Sequence, residues 1–259
     1  MSLLPSFMEQ RDHQPLTVAI VGASGGIGQA ILNELIGSGI VDTIYACGRS
    51  QLQTSEHDND TVHITNISLD FADEKSIEQA ANKIKAQDKL LDIVLLTTGV
   101  LHTDAGLKPE KSLSQLSLEN FVESMLVNAL GPALVAKYFL SLMNKEQLTF
   151  FGALSARVGS ISDNSLGGWH SYRASKAALN MLIKNVSIEY KRKLPKMIVA
   201  GLHPGTVATD LSAPFQKNVP EHKLFTPLFS ATQLLAVIDK LSYDDSGQCF
   251  AWDGQVILP

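Results

Sequence analysis

The short apolar run Thr17–Val21 stops at Gly22-Ala23-Ser24-Gly25-Gly26-Ile27-Gly28, and apolar residues with helical spacing resume at Gln29–Ile36. This order of strand, glycine cluster and helix constrains the chain more than any other feature in it. A chain leaving a buried strand here must turn tightly, bring its backbone close to a ligand and start a helix whose free N–H groups face an anion. The glycines fall as G-x-x-x-G-x-G rather than G-x-G-x-x-G, but the demand is the same. A side chain at Gly26 or Gly28 would block the close approach or push the helix off the sheet. Taken alone the cluster also reads as an ordinary glycine-rich turn; its place directly after the first strand argues for a pyrophosphate.

The alternation continues. Strand candidates at Thr43–Cys47, Val62–Asn66, Asp92–Thr97, Thr149–Leu154, Met197–Leu202 and Gln248–Trp252 are interleaved with helical segments at Asp73–Gln87, Leu118–Met143, Tyr172–Lys193 and Pro227–Leu241. A kink is expected in the longest helix at Gly131-Pro132. Such alternation implies parallel β-α-β units with right-handed crossovers. The expected fold is therefore α/β: one doubly wound Rossmann-type domain with a mainly parallel sheet of about seven strands flanked by helices. It spans 16–259 after a polar leader, 1–15, and 259 residues suit one undivided core. Ligands on such sheets lie beyond the carboxyl ends of the strands, in the loops after Val21, Cys47, Thr97, Leu154 and Leu202.

Composition removes several function classes. A net charge of −5 argues against nucleic acid as partner. The one basic run, Lys191-Arg192-Lys193, sits at a helix end and answers the helix dipole. Cys47 and Cys249 belong to no ligand-spaced cluster, and the seven histidines have no metal-like spacing, so no metal is expected. His170 and His203 read as hydrogen-bonding loop residues near the pocket, Trp169 and Trp252 as packing residues. Met1–Pro15 has neither the basic start nor the apolar run of a signal peptide. No uninterrupted apolar run of about 18 residues is present. A cytoplasmic protein without a membrane partner is the expectation.

The second strand speaks to the cofactor. Asp42 has the offset of a ribose-binding acid but precedes the strand, at the wrong end of the sheet. The strand exits through Cys47-Gly48-Arg49-Ser50, with a cation and no acid. Arg49 can pair with a 2′-phosphate, helped by Ser24 or Ser50; the other reading is a solvated loop arginine. NADP(H) is expected over NAD(H).

Tyr172-Arg173-Ala174-Ser175-Lys176 places a phenol and an ammonium four residues apart on one helix face. A phenol of pKa about 10 exchanges protons poorly at neutral pH, and a fixed cation nearby favours phenolate. Tyr172 can then act as acid in reduction and base in oxidation. No G-x-S-x-G elbow accompanies Ser155, which argues against a serine hydrolase.

With these motifs in this order, the chain resembles the short-chain dehydrogenase/reductase family from Thr17 to Leu258. Leu69-Asp70, Asn128 and His203-Pro204-Gly205-Thr206-Val207-Ala208-Thr209 add to the likeness. Arg157–Ile161, Gly167-Gly168-Trp169 and Phe250–Gly254 are most similar to its C-factor/sniffer-like carbonyl reductase subgroup. The resemblance implies a small carbonyl or alcohol substrate, with reduction of a ketone or aldehyde or the reverse oxidation. It also implies a homodimer or homotetramer, as relatives often form. Gly22, Ser24, Gly25, Gly26, Ile27 and Gly28 are the residues read above as the cofactor cradle, with Arg49 at the 2′-phosphate, and the resemblance implies that Asp70 and Phe71 flank the adenine. Lys176 would hold the nicotinamide ribose and Asn128 would anchor a proton-relay water. Pro204, Gly205, Val207 and Thr209 would position the carboxamide, and a mobile substrate lid would span about 206–226, its polar stretch running from Leu211 to Thr226. A cofactor-binding signalling or scaffold protein with little turnover is the alternative the same subgroup suggests.

Two departures from the family pattern stand out. Leu96-Thr97-Thr98-Gly99 replaces Asn-Asn-Ala-Gly: Thr97, Thr98 and Gly99 keep the backbone approach to the cofactor, but an asparagine contact is missing. The fifth strand ends in Ser155-Ala156 where a second serine would polarise the carbonyl. Ser155 from a shifted register is the first candidate for that role. Ser160 from the next loop is another, a site without such a serine is a third, and Ser155 also reads as a simple strand-exit cap.

Overall fold

The computed structural model describes residues 3–52 and 62–259. Eight strands form one sheet in the order β10-β9-β6-β5-β4-β1-β2-β3: β1 Leu16–Val21, β2 Val41–Gly48, β3 His63–Ser68, β4 Ile93–Leu96, β5 Thr149–Leu154, β6 Met197–His203, β9 Gln248–Ala251 and β10 Val256–Ile257. All neighbours are parallel except the final β9–β10 pair. That antiparallel edge strand is two residues long and follows a turn at Gly254, too short to carry a periodic signal. Two further short strands, β7 Thr206–Val207 and β8 Leu224–Phe225, pair apart from the sheet.

Alternate residues along each strand serve opposite faces. Val18 and Ile20 of β1 pack with helices α1 (Pro5–Glu9), α2 (Gly26–Ser38) and α7 (Pro227–Lys240). Ala19 and Val21 pack with α3 (Glu74–Lys85), α5 (Gly131–Phe139) and α6 (His170–Tyr190). The chain runs outward through β1, β2 and β3, then returns to place β4 on the other side of β1. The strand order reverses there, and the crevice opens at that point.

The segment before β1, expected as a polar leader, is built into the core from Leu4 onward. Leu4, Phe7 and Met8 are buried, and the Phe7 N–H donates to Asp239 of α7 at 2.9 Å. Arg11, 1% exposed, pairs with Asp92 at 2.6 Å and donates to the Leu148 carbonyl at 2.5 Å. Asp92 also accepts the Thr17 N–H at 2.9 Å. Three strand entrances, those of β1, β4 and β5, are thus tied together at the end of the sheet away from the crevice. Burial pushes the Asp92 carboxyl up, while Thr17 and Arg11 pull it down.

The long helix expected over Leu118–Met143 is divided. α4 (Leu118–Met125) passes into a π turn at Leu126–Leu130 before α5 begins. The irregularity therefore precedes Gly131-Pro132. Pro132 has no N–H to donate to the Asn128 carbonyl four residues back, and the turn widens so that Gly131 N–H bonds Leu126. By length and composition Leu118–Leu142 is apolar enough to cross a membrane, but half of its most apolar window is buried within the domain.

Arg11→Ala strands Asp92 in the core and is expected to cost about 3–5 kcal/mol, read as a lower urea midpoint with an unchanged slope. The double change Arg11→Met with Asp92→Leu should recover most of it. A single-variant loss below about 1 kcal/mol would show that the pair is dispensable.

Candidate active site

The crevice between β1 and β4 is lined first by the glycine loop. Gly22 leaves β1 at φ +95°, and a Cβ there would lie 2.8 Å from Thr97 Oγ1. A Cβ at Gly28 would lie 2.1 Å from the Gly22 carbonyl oxygen, so α2 can sit this close to the strand only without one. Gly26 is limited from the other side, by the Thr209 methyl at 2.6 Å from its would-be Cβ. Gly25 caps α2. Ser24, Gly25 and Gly26 are exposed at the rim and Ile27 is half-buried, which leaves main-chain N–H groups open to an anion. The residues present fit a dinucleotide.

Thr97 takes over the tie expected to be lost with the family's asparagine. Its hydroxyl donates to the carbonyls of Val21 (3.1 Å) and Gly22 (3.0 Å), and its N–H bonds Val21 at 2.8 Å. Thr98 Oγ1 also reaches the Val21 carbonyl, at 3.4 Å. At the β2 exit, Arg49 is exposed two residues past Cys47, the register partner of Val21, so it stands beside the loop. Asp42, at the far end of the strand, pairs with Lys89 at 3.0 Å. Asp70 accepts the Ala72 N–H at 3.0 Å. Phe71 is buried: its ring packs where a Gly131 side chain would be, 2.3 Å from that would-be Cβ. The ring of this residue, expected to flank an adenine, anchors α5.

α6 presents Tyr172 and Lys176 on one face, with the lysine Nζ 5.8 Å from the phenol ring centre. Lys176 Nζ donates to the Leu154 carbonyl at 2.8 Å. Asn128, fully buried in the π turn, takes the Val100 N–H at 2.8 Å and donates to the Val100 carbonyl (2.9 Å) and Ser175 Oγ (3.1 Å). It thereby locks the loop after β4 onto α6. Gly99 lies between them, its would-be Cβ 3.4 Å from Asn128 Oδ1 and 3.6 Å from Lys176 Nζ. Burial pushes the Tyr172 phenol up to about 12. Burial brings the Lys176 ammonium down to about 8, against a smaller upward pull from Cys249. The lowering of the phenol by its neighbouring cation, expected from spacing, is therefore not what the protein alone produces. Desolvation outweighs it and favours the neutral form of both groups.

Ser155 does not face the pair. Its hydroxyl donates to Asn180 Oδ1 at 2.6 Å and the residue is 3% exposed, which corrects its assignment as the carbonyl-polarising group and leaves it a strand-exit tie to α6. Ser160 is buried and accepts the Asp163 N–H at 3.1 Å. Ala156 is the residue that packs against Tyr172, in an apolar cluster with Leu101, Val158, Trp169, Leu211 and Phe215. Rings close this wall: Trp169 stands 6.2 Å from Tyr172 and 5.2 Å from Phe215, and Phe215 stands 5.9 Å from His102. A trough of about 710 Å³ continues past His102 and Phe215 along Lys108, Glu110, Lys111 and Gln115.

The expected lid begins beyond Pro204, whose carbonyl accepts Ser230 Oγ at 3.0 Å. Gly205, φ +78°, packs against the Phe225 ring. Val207, buried, sits in β7, whose pairing with β8 draws the two ends of the excursion together. His102 Nε2 meets the Asp210 carbonyl at 3.0 Å, so the segment lies against the loop after β4. Burial, with Arg157 adding to it, brings His203 down to about 4, so it is neutral at physiological pH. Sequence reasoning missed His102, Leu101 and Phe215 as wall residues and took Trp169 for packing; they come from three separate segments, and no motif links them.

A doubly wound sheet with an anion cradle at its switch point and a Tyr–Lys pair beside it defines a dinucleotide-binding oxidoreductase. The chain belongs to the short chain dehydrogenase family, whose profile matches residues 16–220. It is 33% identical, over 92% of its length and 97% of the relative's, to the 1-hydroxy-2-glutathionyl-2-methyl-3-butene dehydrogenase of Rhodococcus sp. (strain AD45). The NADPH-bound carbonyl reductase from chicken fatty liver superposes with a TM-score of 0.80 at 25% identity, covering 95% of this chain and all of that one. The carbonyl reductase Sniffer of D. melanogaster shares the fold with a TM-score of 0.81 at 20% identity, over 95% of this chain and 100% of its own.

Gly28→Ala should lower stability by more than about 1 kcal/mol and abolish binding of the nicotinamide dinucleotide, while Gly37→Ala, with nothing within 4 Å of its would-be Cβ among the described residues, should stabilise by roughly 0.5–1 kcal/mol. Thermal melts with and without NADPH check both, and equal behaviour of the two variants would refute the packing argument. Lys176 supplies a pH test. The unfolded chain keeps the lysine proton up to 10.5 and the folded protein only to about 8, so the ammonium's cost is fully present below pH 8 and relieved as pH rises toward 10.5. Cofactor-free Lys176→Met should therefore melt higher than wild type at pH 7, by up to about 3 kcal/mol, with the gap closing across that window. A gap independent of pH would remove burial as its cause.

Proposed function

We propose that this protein is an NADP(H)-dependent reductase of ketones or aldehydes, working equally as an oxidant of the corresponding alcohols. The observation that carries this reading is the placement of the Tyr172 phenol: packed with Ala156, Leu101 and Trp169, and one helical turn from Lys176, whose Nζ lies 3.6 Å from where a Gly99 Cβ would be in the loop after β4. Residues 22–28 would hold the pyrophosphate, Arg49 with Ser24 the 2′-phosphate and Asp70 the adenine end. Thr98, Gly99 and the Pro204–Thr209 segment would line the nicotinamide end. The cofactor, when bound, supplies or accepts the hydride.

The chain's own residues do the rest. Ala156, Leu101, Trp169 and Phe215 exclude water from the carbonyl carbon and seat its apolar substituents. Tyr172 Oη holds the proton that the carbonyl oxygen takes in reduction and recovers it from the alcohol in oxidation. Lys176, whose Nζ donates to the Leu154 carbonyl, would hold the ribose hydroxyls, and its positive charge beside the phenol favours phenolate over the neutral form that burial imposes. Asn128 keeps the loop carrying Gly99 and Val100 in register with α6. With Ser155 bonded to Asn180, polarisation of the carbonyl falls to Tyr172. The NADPH in the chicken relative and the exposed Arg49 at the β2 exit support the choice of cofactor; the Rhodococcus relative, named as a dehydrogenase of a hydroxy compound, supports the reverse direction.

The test is NADPH consumption with a panel of ketones and aldehydes. Tyr172→Phe should lose about 10²–10⁴-fold in kcat while NADPH still binds. Arg49→Ala should weaken NADPH about tenfold or more and leave NADH affinity alone. Equal turnover by Tyr172→Phe and wild type would end the acid–base assignment, and a preference for NADH would end the cofactor assignment.

A further inference from the structure

The residues just before α6 are wound the wrong way. Gly167, Gly168 and Trp169 take φ values of +64°, +64° and +51° in succession, a left-handed turn. Glycine adopts this freely, but tryptophan does so only when its surroundings hold it there. The turn sets the Trp169 ring between Tyr172 and Phe215. It also feeds directly into the first turn of the helix that carries Tyr172.

What holds it comes from the loop that lines the trough. Glu110 is 1% exposed. Its carbonyl oxygen accepts the Trp169 N–H at 2.5 Å and lies 3.3 Å from where a Gly168 Cβ would be. Its carboxylate accepts the Ser171 N–H at 3.1 Å and the Ser171 hydroxyl. Arg173 adds to the hold, donating to the Gly168 and Val158 carbonyls at 3.1 and 3.2 Å. The two residues flanking His170 are therefore both held by Glu110: Trp169 by its main-chain carbonyl, and Ser171, immediately before Tyr172, by its carboxylate from 61 positions away.

We propose that Glu110 is a positioning residue of this site. It holds the left-handed turn that aims Trp169 at Tyr172, and it links the loop lining the trough to the first turn of α6. The proposal rests on the reading of Tyr172 as the acid–base group, but one of its readouts does not.

With Trp252→Phe, Trp169 is the sole tryptophan and its emission reports its surroundings directly. In that background Glu110→Ala should shift the emission to the red and open it to acrylamide quenching. In the otherwise native enzyme the same change should lower kcat about 10²-fold and leave the NADPH Kd within about twofold. Glu110→Gln, which keeps an acceptor for Ser171, should recover most of both signals. Should Glu110→Ala fail to fold, Ser171→Ala removes one side of the grip and should move emission and kcat the same way by less. Unchanged emission and quenching would overturn the proposal, as would moved emission with unchanged kcat. A wild type that reduces no carbonyl, with emission that still responds, would end the functional reading and leave Glu110 as the holder of the turn.

Discussion

The distance between the turn that leaves β1 and the end of β4 governs the site. Gly22 and Gly28 lie so near Thr97 and each other that no side chain fits at either position. Only with that spacing can the Thr97 hydroxyl reach the carbonyls of Val21 and Gly22. The contact places the N-terminus of α2 beside the loop after β4. That loop in turn is locked by Asn128 to α6, and with it to Tyr172 and Lys176. The glycine loop and the Tyr172–Lys176 pair are thus linked by one chain of short contacts.

Interior polarity is used differently at the two ends of the sheet. At the amino end, Arg11 and Asp92 neutralise one another and join the strand entrances. At the carboxyl end, Lys176 Nζ is buried between the Leu154 carbonyl and the Tyr172 ring, and Tyr172 packs with Ala156, Leu101 and Trp169. Both titratable groups are pushed toward neutrality there. A positively charged lysine is least stable in such surroundings and most responsive to what arrives beside it. Stability given up at one end is consistent with a firm tie at the other.

The residue next to the phenol carries its own message. An alanine at 156 continues the apolar cluster of Leu101, Trp169 and Phe215 around the Tyr172 phenol, while Ser155 is tied to Asn180 of α6. In the proposed reaction, selectivity would come from the shape that the Trp169 and Phe215 rings give this wall.

Local pattern was enough for much of this. The burial of β1 and β4, the glycine cradle, the Tyr172–Lys176 spacing and the unsuitable end of Asp42 all follow from periodicity and steric demand within about twenty residues. The π turn had a local cause in Pro132, although its place one turn before the proline needed the backbone to be seen. The direction of Ser155, the burial of Phe71 against Gly131, the docking of residues 4–11 and the joining of His102, Trp169 and Phe215 were decided only by tertiary packing. Each depends on segments tens to hundreds of positions apart. No periodicity reports which of two neighbours a hydroxyl will choose, or which ring will meet another once the sheet has brought them together.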